Sequence, residues 1–65
     1  MLSEFDRIHV LYVMREGDWF SAHLLRLINK ADHANREKIR EIYPEHVAAW
    51  EAWRDGEDQE EWPPN

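Results

Sequence analysis

The 65-residue chain contains no cysteine and no threonine, only two glycines and two serines, and no long apolar run. Each absence excludes something. Without cysteine there is no disulfide and no thiolate metal site. A chain this short buries only about 60% of the surface that its unfolded form exposes, so its stability, about 3–5 kcal/mol at this size, has to come from packing. The most apolar run, "VLYVM" at 10–14, is too short for a membrane span or a signal-peptide core, and acids stand among the first residues. These features point to a soluble protein of a reducing, intracellular compartment. The hydroxyl nucleophiles reduce to Ser3 and Ser21, each standing where a helix start favours a serine.

Charge is plentiful but uneven. Residues 1–44 carry seven acids and seven bases, whereas residues 45–65 carry seven acids and one base, Arg54, which accounts for the whole net charge of −6. The molecule has a neutral body and an acidic end. Direct binding to nucleic acid or to an anionic membrane is not expected, since both need a basic face.

Apolar residues make up 43% of the chain, with four tryptophans. Residues 3–16 suit a helix through Phe5, Ile8, Leu11 and Tyr12, although Ile8, Val10, Tyr12 and Met14 alternate as in a strand. Helix is favoured, because Ser3 can cap it and a lone strand has no partner for its backbone groups. Gly17 then serves as a C-terminal cap and Asp18 as the N-cap of the next helix. Residues 19–31 give the clearest periodicity, with Phe20, Leu24, Leu27, Ile28 and Ala31 on one face. Asp32 starts a third helix, with Ile39, Ile42 and Tyr43 as a narrow apolar stripe and alternating charges outside it. Pro44 opens a last helix that turns Val47, Trp50 and Trp53 inward and ends at Gly56. The pattern predicts a small all-α, single-domain bundle of three to four short helices over 1–56, followed by a disordered, flexible acidic tail over 57–65.

Candidate chemistry is sparse. No two of His9, His23, His33 and His46 stand at the i, i+4 spacing of a helical metal site, so no metal or cofactor is expected and the histidines read as surface or structural residues. The carboxylates cluster where solvent should be greatest, away from any pocket that could raise a catalytic pKa, and the chain reads as a non-enzyme. Trp19, Phe20, Tyr43, Trp50 and Trp53 read as core. Trp62, beyond the last helix, reads as an anchor for a partner or a residue that folds back.

The acidic end has a bland reading as a solubilising tail. It also has a functional one. Residues 55–61, extended at about 3.3 Å each, span about 23 Å with five charges, or one per roughly 4.6 Å. One strand of a DNA duplex carries a phosphate per about 3.4 Å. With Glu45 and Glu51 added from the last helix, the segment can attract a basic groove built for DNA.

Residues 19–50, "WFSAHLLRLINKADHANREKIREIYPEHVAAW", run through a Phe-Ser helix start, a Leu-rich helix ending in Lys-Ala-Asp, an Asn-Arg-Glu-Lys helix and a Tyr-Pro-Glu start before a Trp helix. This half of the chain resembles small helical proteins of bacteriophages and prophages. Size, acidity and absence of cysteine further resemble phage-encoded anti-CRISPR proteins of type I, in particular type I-C. The resemblance implies an inhibitor, acting in the host bacterial cytoplasm, that blocks target DNA recognition by a CRISPR effector protein with a basic DNA-binding surface. The expected partner-binding residues are Glu45, Glu51, Asp55, Glu57, Asp58, Glu60, Glu61 and Trp62, and the expected state is a monomer. The alternative is a phage helical adaptor, or a homodimer, that binds through helix faces without mimicking DNA.

Overall fold

In the computed structural model, which describes residues 2–56, the chain forms five helices: α1 Glu4–Ile8, α2 Val10–Glu16, α3 Phe20–Lys30, α4 His33–Ile42 and α5 Pro44–Arg54. The all-α expectation holds over these residues. The count exceeds three to four because the first segment is broken at His9, whose backbone (φ −108°, ψ 48°) leaves the helical region between α1 and α2. That break resets the phase of the buried face. Val10, Val13 and Met14 turn inward from α2, while Phe5 and Leu11 of the expected stripe are exposed.

Local chemistry sets the ends of most helices. Ser3 Oγ accepts the Asp6 amide at 3.1 Å and Asp32 Oδ1 accepts the Asn35 amide at 2.8 Å, so both act as N-caps. Pro44 stands at the start of α5, where its missing N–H costs nothing. At α3 the expectation fails: the N-cap position is Trp19, with no side-chain cap, and Asp18 lies one residue too early. Gly17 is the C-cap of α2 but keeps an extended backbone (φ −77°). A Cβ there would lie 2.7 Å from Ala22 Cβ and 2.9 Å from the Val13 carbonyl, so glycine is required by close approach. Gly56, at φ +80°, ends α5 in the left-handed region.

Two links are closed by an arginine reaching back from the following helix. Arg26 of α3 donates to the carbonyls of Met14 and Gly17, each at 2.8 Å. Arg36 of α4 donates to the carbonyls of Ile28, at 3.3 Å, and Ala31. Helix C-termini leave carbonyls without intrahelical partners, and these guanidinium groups satisfy them with charge that also suits the helix dipole. Arg36 is therefore a structural residue rather than part of a solvated charge stripe.

α5 is the hub, packed by α1, α2, α3 and α4. The core joins Val10, Val13 and Met14 of α2, Ala22, Leu24, Leu25 and Ile28 of α3, and Val47, Ala49 and Trp50 of α5. Leu25 and Ile28 are fully buried, which at about 1.5–3 kcal/mol per large aliphatic side chain makes them leading contributors. The inward face of α3 is rotated from expectation, since Ala22 and Leu25 are buried whereas Phe20 and Leu27 are exposed. Nor do all the aromatics form the core. Trp50 is buried, Tyr43 and Trp53 pack on it partly exposed, and Trp19 and Phe20 are exposed.

Candidate functional site: the carboxylates around α5

The eight residues expected to bind a partner divide in two. Glu57, Asp58, Glu60, Glu61 and Trp62 lie outside the described residues. Glu45, Glu51 and Asp55 lie on or just after α5, and each already has a partner within the chain.

Glu51 is held by Arg40 of α4. The guanidinium reaches it through Nη1 at 3.2 Å and through Nη2, and through Nε and Nη2 it also holds Glu37 at 3.1 Å. One arginine thus bridges two carboxylates and ties α4 to α5. The bridge has a sequence logic: Glu37 and Arg40 are one turn apart on α4, and Tyr43–Pro44 folds α5 back so that Glu51 meets the same group. Hydrogen bonding to Arg40 holds both carboxyls below their ordinary range, outweighing the opposing effect of burial. The two carboxylates raise the guanidinium pKa further. Asp55 Oδ1 accepts from Arg54 Nε at 3.1 Å, and this contact raises the Arg54 pKa. Glu45 Oε1 accepts the Leu2 amide at 3.1 Å, joining the chain's start to α5.

The far side of α5 is organised around Trp50. Its indole N–H donates to Asn29 Oδ1 at 2.9 Å. The guanidinium carbons of Arg36 and Arg54 lie 4.1 Å and 4.8 Å from the ring centroid. An aromatic face attracts a cation through its quadrupole, so two arginines whose charge could otherwise face solvent are fixed against the core. Arg40 and Arg54 place two positive charges among the α5 carboxylates. Described residues 2–56 carry ten acids and eight bases, and residues 57–61 carry four acids. Most of the unbalanced charge lies beyond α5.

One pairing was not expected from sequence. Ser21 Oγ and His46 Nε2 are 3.0 Å apart, joining the first turn of α3 to that of α5. His46 is 3% exposed rather than a surface residue, with the rings of Tyr43 and Phe20 at centroid distances of 5.6 Å and 6.5 Å. Burial lowers its pKa, opposed by the charges of Asp6 and Glu45. A hydroxyl beside a neutral imidazole is the nucleophile–base pair of acyl transfer. Among the described residues, however, no group hydrogen-bonds the other ring nitrogen to orient it, and the pair reads as a clasp between helices. Only the recurrence of polar residues near two helix starts hinted at it. Among the described residues no group of histidines and acids is placed to hold a metal, and no helix is long and apolar enough to cross a membrane.

Comparison with known proteins returns no match among family models, curated proteins or solved structures.

Proposed function

We propose that this protein is a non-catalytic inhibitor that occupies a basic, DNA-binding protein surface with the acidic segment following α5, in the manner implied by its resemblance to anti-CRISPR proteins of type I. The observation that carries the reading is the segregation of charge. The described body is close to neutral, with Glu51 and Asp55 held by arginines, while residues 57–61 place four acids in five positions without a base. A carboxylate engaged by its own chain offers little field to a partner, so Glu57, Asp58, Glu60 and Glu61 carry the charge mimicry. Glu45, Glu51 and Asp55 then set the geometry from which the segment departs, and Trp62 supplies an apolar anchor once the charges have engaged.

The test uses a purified type I interference complex and its target DNA. Reversing Glu57, Asp58, Glu60 and Glu61 to lysine is expected to weaken inhibition by more than about tenfold and to flatten its salt dependence. Reversal of Glu45 alone is expected to change it little. Full inhibition by a chain lacking residues 57–65 rejects the reading.

A second reading, a helical adaptor acting through apolar helix faces, is favoured by a separate observation: Phe20, Leu27 and Ile42 are each more than half exposed.

A further inference from the structure

The most exposed of the large apolar residues described, Phe20, Leu27 and Ile42, all lie on α3 or α4. α4 contains no fully buried residue, and α3 and α4 each lean on α5 more than on each other. Between them runs a groove of about 340 Å³, with Leu27 and Lys30 on the α3 side and Lys38 and Ile39 on the α4 side. Helical spacing extends the same faces. Phe20 precedes Leu27 by two turns, and Ile42 follows Ile39 by one. Phe20 is 61%, Leu27 55% and Ile42 71% exposed, and the Phe20 ring meets Tyr43 at 5.7 Å where the cleft closes on α5.

The charge along this cleft is of one sign: its lining holds Lys30 and Lys38 and no carboxylate. α3 contains no carboxylate. Of the two on α4, Glu37 is held by Arg40, and both lie off the strip formed by Asn35, Lys38, Ile39 and Ile42. Lys30 and Lys38 form no ion pair among the described residues. An apolar floor flanked by two ammonium groups suits a ligand that is apolar on one face and acidic beside it.

We propose that the α3–α4 cleft is a docking site for an acidic amphipathic helix of a partner protein. Apolar side chains at i, i+3/i+4 and i+7 of that helix lie along Leu27, Ile39 and Ile42, and its carboxylates meet Lys30 and Lys38. This is the helix-in-groove mode, in which apolar anchors supply affinity and flanking charges set orientation. A second copy of this chain is a poorer occupant, because a two-fold pairing of the cleft with itself brings Lys30 and Lys38 against their own equivalents. The segment 57–65 is also poorer. It has the acids but one large apolar residue, Trp62, followed by two prolines, and cannot present a helical series of anchors.

The test follows the methyl resonances of Leu27, Ile39 and Ile42 in the full chain. The probes are two synthetic helices with leucines at every third and fourth position, one filled with glutamates and the other with lysines. The acidic helix is expected to shift these three residues and to bind at least about tenfold more tightly than the basic one. Lys30→Glu with Lys38→Glu is expected to invert that preference, and Ile42→Asp, an exposed change that leaves the helical circular dichroism intact, to abolish the shifts. Equal binding of both helices, or shifts confined to other surfaces, overturns the proposal. So does a cleft already filled without peptide, whether by a second copy, seen as concentration-dependent sedimentation, or by the chain's own end, seen as methyl shifts on Trp62→Ala.

Discussion

Ser21 Oγ on α3 lies 3.0 Å from Nε2 of the buried His46 on α5, so two helices that start 24 positions apart are clasped through an imidazole. Burial lowers the folded pKa of His46 below its ordinary value of about 6.5. As pH falls through that value, the unfolded chain takes up the proton first and stability drops until the folded pKa is passed. Above it the clasp is fully present. Glu37 and Glu51, whose pKa values are also lowered, contribute above the ordinary carboxylate range and lose that contribution as pH falls through their folded values. The two windows separate. Urea midpoints between pH 7.5 and 5.5 are expected to fall for the wild type and to stay nearly flat for His46→Gln. An equal slope in both excludes His46 as the source.

Ser21→Ala tests the same clasp from the other side. It leaves an imidazole nitrogen buried without its partner, at a cost of about 1–3 kcal/mol. Thermal unfolding at pH 7.5 reads this out, with each kcal/mol lowering the midpoint by about 4–8 °C in a domain of this size. A loss below about 0.5 kcal/mol, the range of ordinary surface changes, shows that the hydroxyl is not holding the ring.

Gly17→Ala places a methyl 2.7 Å from Ala22 Cβ and 2.9 Å from the Val13 carbonyl, with Trp19 at 3.0 Å. Two of these neighbours are backbone or a core methyl and cannot swing away. Overpacking of this kind costs about 1–3 kcal/mol. Denaturation midpoints of Gly17→Ala and wild type decide the point, and an unchanged midpoint means that the α2–α3 link is looser than its geometry shows.

The phase of α3 is checked by a pair of truncations. Leu25→Ala removes a fully buried side chain and is expected to cost about 2–5 kcal/mol. Leu27→Ala removes one that is 55% exposed and is expected to stay within about 0.5 kcal/mol. A reversed order in urea denaturation contradicts the packing of α3 on α5.

Asp6 is 5% exposed and accepts the Trp19 indole N–H at 3.0 Å, which ties α1 to the start of α3. Trp19→Phe deletes that donor while keeping an aromatic body, and is expected to cost about 1–3 kcal/mol. Against an Asp6→Leu background the same change is expected to cost much less, since the carboxylate no longer needs the donor. Equal losses in both backgrounds show that the ring, not the hydrogen bond, is what matters at this position.

Much of the fold is legible in the sequence because it depends on neighbours in the chain. Ser3, Asp32, Pro44 and Gly56 act at helix ends through backbone groups close by in the chain, and such local chemistry marks four helix ends directly. Val47 and Trp50 face inward as their spacing requires. The candidate site was less legible. The acidic run after α5 is visible in the order of residues, yet nothing there announces that Arg40 takes Glu51 or that Arg54 takes Asp55. The Arg40–Glu51 pairing arises only when α4 and α5 fold back on each other, whereas Arg54 and Asp55 are chain neighbours.

By itself the sequence determined the helical character of the described residues, most of the breaks between helices, and the placement of the excess negative charge toward one end, since periodicity, capping and net charge are properties of adjacent residues. Only the tertiary structure decided which stripe of α2 and α3 is buried, that His46 is a core residue bonded to Ser21, and that the described residues form an apolar, lysine-flanked cleft between α3 and α4. A helix with apolar residues on more than one face has several ways to bury them. The one adopted is the one that α5, arriving last in the chain, selects by offering Val47 and Trp50 to pack against.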